Sequence, residues 1–271
     1  MRGADGNAPS TVSVVIPVKD DAVALAVCLD ALARQTRLPD EIVVVDNDSI
    51  DASAAIARRS GARVVPCAVP GIPAASATGY DAAVGDLILR LDADCVPAGG
   101  WVETMVAAFA RRPDVGAFTG RARFVDGPAA LRNPLAAIYL GAYALATAPA
   151  LGHLPLFGSN LGMRREVWAD ICDEVHREDP LLHDDLDLSF HLGARHRIRY
   201  LPGASMGMSM RPFLSGRAFV HRLRRGGRTV VVHWPHDLPP DRSRRRSRHR
   251  RAGRSLGNRE TSRPADRTVE E

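Results

Sequence analysis

The chain has 271 residues, 45% of them hydrophobic, which suffices for one large domain or two small ones. Its formal charge of +5 sits in the arginine-rich stretch from Pro239 to Glu271, where the local net is +6 and the rest is near neutral. Aromatics are only 5% of residues, so the body offers no aromatic-studded basic face for nucleic acid. The four cysteines, Cys28, Cys67, Cys95 and Cys172, form no CxxC pair and suggest neither zinc nor a disulfide framework.

Residues 1–10 read as a disordered leader without the apolar core of a secretory signal, which sets a cytoplasmic expectation. TVSVVIPV then reads as a buried strand, continuously apolar and β-branched. DDAVALAVCLDALARQT has helical spacing, with Val23, Val27, Leu29 and Leu32 near one face. PDEIVVVDN is a second strand. SIDASAAIARRSG is a second helix, with Ser49 or Asp51 as its cap and Gly61 as its stop. ARVVPC is a short strand, ASATGYDAAVG a helix, and DLILRLDAD a fourth strand. This alternation predicts an α/β fold, a mostly parallel sheet flanked by helices.

In such sheets ligands bind beyond the carboxyl ends of the strands. The second strand delivers Asp46, Asn47 and Asp48 to that edge, and the fourth delivers Asp92 and Asp94. Asp48 and Ser49 read equally as a helix cap. Asp92-Ala-Asp94 is harder to read that way, because bare carboxylates at the end of a core strand need a compensating cation or donor. A short, rigid pair of oxygen ligands suits Mg2+ or Mn2+ bridging substrate phosphates. There is no GxGxxG after the first strand and no GxxxxGK[ST] anywhere, so neither dinucleotide nor P-loop phosphate binding is supported.

GGWVETMVAAFARRPD reads as a helix and VGAFTGRARFV as a strand. The uncharged stretch from Asn133 to Asn160, broken by Pro134, Pro149 and Pro155, reads as too interrupted to span a membrane. A core or lid helix is the first reading and an apolar surface for a lipid-like partner the second. LGMRREVWADIC is helical in its later part. HDDLDLSFHLGARHR is a helix opening with acids, and IRYLPGASM a strand. GRAFVHRLRRGGRTVVVHWP reads as a basic helix or loop followed by a strand. From Pro239 the composition is that of a disordered tail. The acids of HDDLDLS serve either as partners of the helix dipole or as a general base for an acceptor hydroxyl.

Several segments in order carry a family resemblance. VSVVIPVKDD through EIVVVDNDSIDAS, then GDLILRLDADCVP, GSNLGMRREVW and HDDLDLSFHL are similar to the family 2 glycosyltransferases from about Val12 to Met206. The resemblance implies a GT-A fold spanning 11–238, with a nucleotide-binding half at 11–97 and an acceptor half at 98–238. It implies a nucleotide-diphosphate sugar as donor and a divalent cation as cofactor. It implies that Pro17, Val18 and Asp21 line the base pocket with Asp46 on the base. Asp92 approaches the ribose or metal, and Asp94 ligates the metal. Asp185 is the catalytic base, Asp184 stands where the family usually has Glu, and Asp187 orients the loop or caps its helix. Gly158, Ser159 and Asn160 fall in the acceptor-side segment.

The family's Ala-Arg-Asn donor segment is replaced here by Ala75-Ser76-Ala77-Thr78-Gly79. The Gln-x-x-Arg-Trp motif of processive synthases is absent, which argues against a processive polymerase, and the resemblance implies an inverting enzyme. HRLRRGG, with Arg222, Arg224 and Arg225, supplies phosphate contacts in its place or is a solvated basic face. His233 or His236 completes the metal shell or is structural. The unknown acceptor is lipid-linked or otherwise amphipathic in this reading, with peripheral contact at the inner membrane face. The competing readings are a sugar nucleotidyltransferase, which lacks its Gly-rich loop here, and a scaffold using the arginine-rich tail.

Overall fold

The computed structural model describes residues 10–211 and 216–234. The expected tail over 239–271 and His236 lie outside these residues, as does the leader apart from Ser10.

Val12–Val18 forms β1, with every residue buried. An unbroken apolar run with both faces covered is what a central parallel strand requires. It pairs in parallel with β2 (Glu41–Asp46) and β4 (Leu87–Arg90), and β2 pairs in parallel with β3 (Arg63–Pro66). The crossovers are α1 (Ala22–Ala33), α2 (Ser53–Arg59) and α3 (Ile72–Ala82). Beyond β4 come β5 (Val96–Pro97), α4 (Trp101–Arg111), β6 (Ala117–Phe124) and α5 (Arg132–Leu151). These are followed by β7 (Leu161–Arg164), α6 (Arg165–Ala169), α7 (Asp184–Arg195), β8 (Ile198–Met208) and α8 (Gly216–His233).

The sheet order is β3-β2-β1-β4-β7-β6-β8-β5. The β3-β2-β1-β4 part is parallel, as expected. β7 runs antiparallel to β4 and β6, and β5 antiparallel to β8, while β6 and β8 are parallel. The sheet is therefore mixed. Alternate residues of β1 serve two cores. Val12, Val14 and Ile16 join the layer holding Trp101 and Phe109. Val15 joins the layer holding Tyr80 and Trp168.

Four expectations are corrected. In α1 the buried face is Leu25, Cys28, Leu29, Ala31 and Leu32, while Val23 is 81% exposed and Val27 50%. The cap position of α2 is Ala52 rather than Ser49 or Asp51, although Asp51 satisfies the first helical N–H. Asp51 accepts the Ala22 N–H at the start of α1 at 2.9 Å and the Ser53 N–H at 2.9 Å. α2 does stop at Gly61, whose φ of +78° suits glycine.

The third correction concerns the proline-bearing apolar stretch. Its first part, through Leu151, lies in one continuous 20-residue helix, α5, while Pro155 falls in the loop beyond it. Pro134 stands in the first turn, where its missing N–H has no partner to lose, and Pro149 lies in the last turn. Ala129–Leu151 is long and apolar enough to cross a membrane by length and composition. It is not a core helix: only Ala136, Thr147, Ala150 and Leu151 are buried. Ile138 is 67% exposed and Leu145 80%.

Finally, RTVVVHW is no strand; α8 runs through it. Thr229 is fully buried, and its hydroxyl accepts the His183 N–H at 2.9 Å and donates to the Arg225 carbonyl at 2.8 Å. Packing against α7 overrides the β preference of three consecutive valines.

Candidate active site

The first edge of the site is shaped by the loops after β1 and β2. Asp20 and Asp48 both adopt left-handed backbone, at φ 49° and 60°, which Asp tolerates better than most residues. Asp20 Oδ1 accepts the Ile50 N–H at 2.7 Å, and Asp46 Oδ1 accepts the Ser49 N–H at 3.2 Å. Asn47 is buried; its amide donates to the carbonyls of Cys67 and Val69, and its Oδ1 accepts the Gly71 N–H. These bonds fix two adjacent loops at the ends of β2 and β3.

Next to them opens a cleft of about 570 Å³. Asp92, Asp94, Gly158, Ser159, Asp184, Asp185, Arg222 and Arg225 line it together. The two acidic groups singled out in the sequence, some ninety positions apart, thus face one cavity. Pro17, Val18, Asp21, Asp46 and Asp48 belong to the neighbouring strand ends rather than to its walls.

The floor contains a residue that sequence reasoning missed. Arg90, the last residue of β4, is only 2% exposed. Its Nη2 lies 2.8 Å from Asp92 Oδ1 and 3.1 Å from Asp184 Oδ2. Burial opposes its charge, but Asp92 and Asp184 hold the guanidinium firmly protonated. A Cβ on Gly158 would collide with Arg90 Nη1, so any side chain there must displace the guanidinium. The available signal was an arginine within the otherwise apolar LILRL.

The carboxylates differ in environment. Burial raises the Asp94 carboxyl, and the neighbouring Asp92 raises it further, against the pull of Arg211. Arg211 reaches Asp94 at 3.1 Å and Asp21 at 2.6 Å. Ser159 Oγ donates to Asp92. Burial also raises Asp184, with Arg90 opposing and Asp185 adding to the rise; Ser76 Oγ donates to it at 3.2 Å.

Asp185 goes the other way. Burial works against its charge, but the ion pair with His183 overrides it, aided by Arg90 and by the Gly158 N–H donated at 2.8 Å. Its carboxyl sits well below the usual range. Burial disfavours the imidazolium of His183, yet Asp185 and then Asp184 raise it above the ordinary histidine value. Tyr143 stacks on the His183 ring at 5.8 Å and donates to Asp185 Oδ1 at 3.3 Å. Burial keeps that phenol protonated. Tyr139, also from α5, accepts Arg222 Nη1 at 2.7 Å. His183, Tyr139 and Tyr143 carried no sequence signal, because the elements that bring them to the cleft could not be ordered in space.

Two predicted site residues lie elsewhere. Asn160 is fully buried scaffolding: it accepts the Trp101 indole N–H at 2.8 Å and donates to the carbonyls of Arg121 and Ala204. His233 does not join Asp92 and Asp94. It packs at the end of α8 against Phe190, His191 and Asp187.

The model of Glycosyl transferase family 2 matches residues 13–171. The chain belongs to this family. The family match stops before α7, so Asp184 and Asp185 enter the site through the structure. Among curated relatives, the glycosyltransferase AglE of Haloferax volcanii is 35% identical over 104 residues, 35% of this chain and 34% of its own. An uncharacterized glycosyltransferase of Mycobacterium tuberculosis is 34% identical over 120 residues, 44% of this chain and 52% of its own. The chain thus spans between a third and about half the length of these relatives.

Solved structures share the GT-A fold. The mannosyltransferase PcManGT of Pyrobaculum calidifontis, in complex with GDP-Man and Mn2+, aligns with a TM-score of 0.61 at 19% identity, over 89% of this chain and 70% of its own. The glucosyl-3-phosphoglycerate synthase of M. tuberculosis, in complex with Mn2+, UDP and glucosyl-3-phosphoglycerate, aligns at 0.54 and 21% identity, over 80% of each chain.

Proposed function

We propose that this family 2 member transfers a glycosyl group from a nucleotide-diphosphate sugar to an acceptor hydroxyl, with inversion and without processivity. The observation that carries the reading is the opposition of Asp92–Asp94 and Asp184–Asp185 across one cleft, tied through Arg90.

The donor set suits a hard divalent cation. Asp92 and Asp94 offer carboxylate oxygens close together, and the adjacent Cys95 is a buried thiol whose pKa is pushed well up. Oxygen ligands with no thiolate favour Mg2+ or Mn2+ over soft metals. When bound, such a cation offsets the charge that develops on a departing diphosphate. The PcManGT complex and the glucosyl-3-phosphoglycerate synthase complex each contain a nucleotide and Mn2+, which supports the same ligand class here.

The chain's own residues divide the rest. Asp185 Oδ1 or Oδ2 takes the acceptor proton as the acceptor oxygen bonds to the anomeric carbon and the sugar–phosphate bond breaks. His183 and Tyr143 hold that carboxylate in place. Arg222 and Arg225 face the cavity where phosphate oxygens would lie. The strand ends at Pro17, Val18, Asp21 and Asp46 border the donor side. This assigns residues 11–97 to the donor and the remainder to the acceptor.

An amphipathic acceptor is favoured by one feature. Tyr139 and Tyr143 line the cleft from α5, whose opposite face exposes Ile138 and Leu145. That face suits a lipid-linked acceptor presented at a membrane surface.

The deciding experiment is calorimetric titration of nucleoside diphosphates, with and without Mn2+ or Mg2+, into the wild type and Asp94→Ala. Metal-dependent binding of one nucleotide, lost in the variant, is expected. A folded protein that binds none under any condition overturns the reading.

A further inference from the structure

Three histidines and an aspartate converge at a place the cleft chemistry does not use. His176 lies in the loop before α7, Asp187 and His191 one turn apart on α7, and His233 at the end of α8. None of them lines the cleft. Asp187 is 4% exposed and His233 6%. Asp187 Oδ1 lies 2.7 Å from His176 Nδ1, 3.6 Å from His191 Nε2 and 3.3 Å from His233 Nε2. The two Nε2 atoms of His191 and His233 are 3.3 Å apart. Four ligands at about 2.0–2.2 Å from a tetrahedral centre stand roughly 3.3 Å from one another. Three of the four spacings lie within a few tenths of an ångström of that value, and the His176–Asp187 pair, at 2.7 Å, is at hydrogen-bond distance.

The hydrogen bond at one nitrogen of His233 turns the other nitrogen into the cluster. His233 Nδ1 is 2.8 Å from the Thr229 carbonyl, which can only accept, so Nδ1 carries the proton. In a neutral ring Nε2 is then a lone pair. It faces a carboxylate oxygen and a second ring nitrogen in a buried setting. In one tautomer His191 Nε2–H donates to it across 3.3 Å; in the other, both Nε2 lone pairs and the carboxylate oxygen point at a single place that a cation would fill. The outer contacts also fit a ligand histidine, which donates its remote N–H to a carbonyl or carboxylate. Thr229 O fills that role for His233, and Glu174 Oε2 lies 3.7 Å from His191 Nδ1. The Phe190 ring stacks on His233 at 4.1 Å, which fixes the imidazole plane.

We propose that His176, Asp187, His191 and His233 form a four-ligand site for a divalent transition cation, zinc foremost. Imidazole nitrogens exclude Mg2+ and Ca2+ as preferred occupants. Four protein ligands with no open position mark a structural rather than a catalytic centre. The cation would pin three segments together. α7 opens with Asp184 and Asp185, and α8 carries Arg222 and Arg225. The site therefore braces the two helices that supply one wall of the cleft, and it is separate from the oxygen pair at Asp92 and Asp94.

The test is elemental analysis of the full chain, purified with zinc present and then freed of loosely held metal by gel filtration. About one zinc per chain is expected. His191→Ala and His233→Ala should lose at least nine-tenths of it, whereas Asp94→Ala should retain it. Replacement by Co2+ in the wild type should give the intense visible bands of four-coordinate cobalt, a readout that does not depend on whether the variants fold. Folded wild-type protein with neither zinc nor those bands overturns the proposal and leaves a hydrogen-bonded cluster. So does equal zinc in the wild type and His191→Ala.

Discussion

Arg90 Nη2 stands 3.1 Å from Asp184 Oδ2 while its other contact holds Asp92, so one buried guanidinium joins the carboxylate groups on both sides of the cleft. Removing it leaves Asp92 and Asp184 without their shared counter-charge. Breaking a buried pair typically costs about 3–5 kcal/mol. Arg90→Ala should lose stability of that order in urea unfolding. Any protein that remains folded should have lost metal-dependent nucleotide binding.

Gly158 gives a gentler probe of the same contact. The Cβ of Gly158→Ala would collide with Arg90 Nη1 and must push the guanidinium aside. Overpacking of this kind costs about 1–3 kcal/mol. A lowered melting temperature, together with a weakened transfer rate, is the expected outcome. Full activity and stability in Gly158→Ala would show that Arg90 has another place to go.

His183 sets a pH dependence. Its pKa is raised by Asp185, so the ion pair contributes its full stability below the ordinary value of about 6.5. That contribution fades as pH rises through the raised value. Over the same interval Asp185 is released from its cationic partner and becomes a better base. Transfer should therefore rise with pH along a limb centred above about 6.5. In His183→Asn that limb should disappear from the pH–rate profile.

Arg211 competes for Asp94. It is half exposed and also holds Asp21, so its loss should change stability by no more than about 1 kcal/mol. At a pH where Asp94 is ionised, Arg211→Ala should bind Mn2+ more tightly in a calorimetric titration. Weaker binding would mean that the arginine positions the carboxylate rather than competing for it.

The parallel half of the fold was legible in the sequence because β1, β2 and β4 are apolar runs whose burial on both faces leaves no second reading. The acidic edge was legible for the same reason: Asp92 and Asp94 follow directly on such a run. What periodicity could not supply was the antiparallel half. β7 is only four residues long, and RTVVVHW favours a strand until α7 is known to pack against it. The partner of Asp184 was hidden because nothing in LILRL says which way Arg90 points. Asp187 and His191, spaced four apart, were half of the histidine cluster in plain view. The other half comes from a loop and from a helix end that was read as a strand.

The two-residue strand β5 has a consequence for how the protein is made. Asp92 and Asp94 leave the central strand β4, but the chain just after them is fastened at the far edge of the sheet, where Val96 and Pro97 pair with Gly207 and Met206 of β8. On a ribosome the β1–β4 units can assemble only once β4 has emerged, because β1 pairs with it across about 75 residues of chain. The aspartate loop then hangs by one end until β8 is synthesised. A nascent chain arrested before residue 198 would hold β1 to β4 with the Asp92–Asp94 loop still fastened at one end only. The cleft is therefore complete only after β8 and α8 have been made.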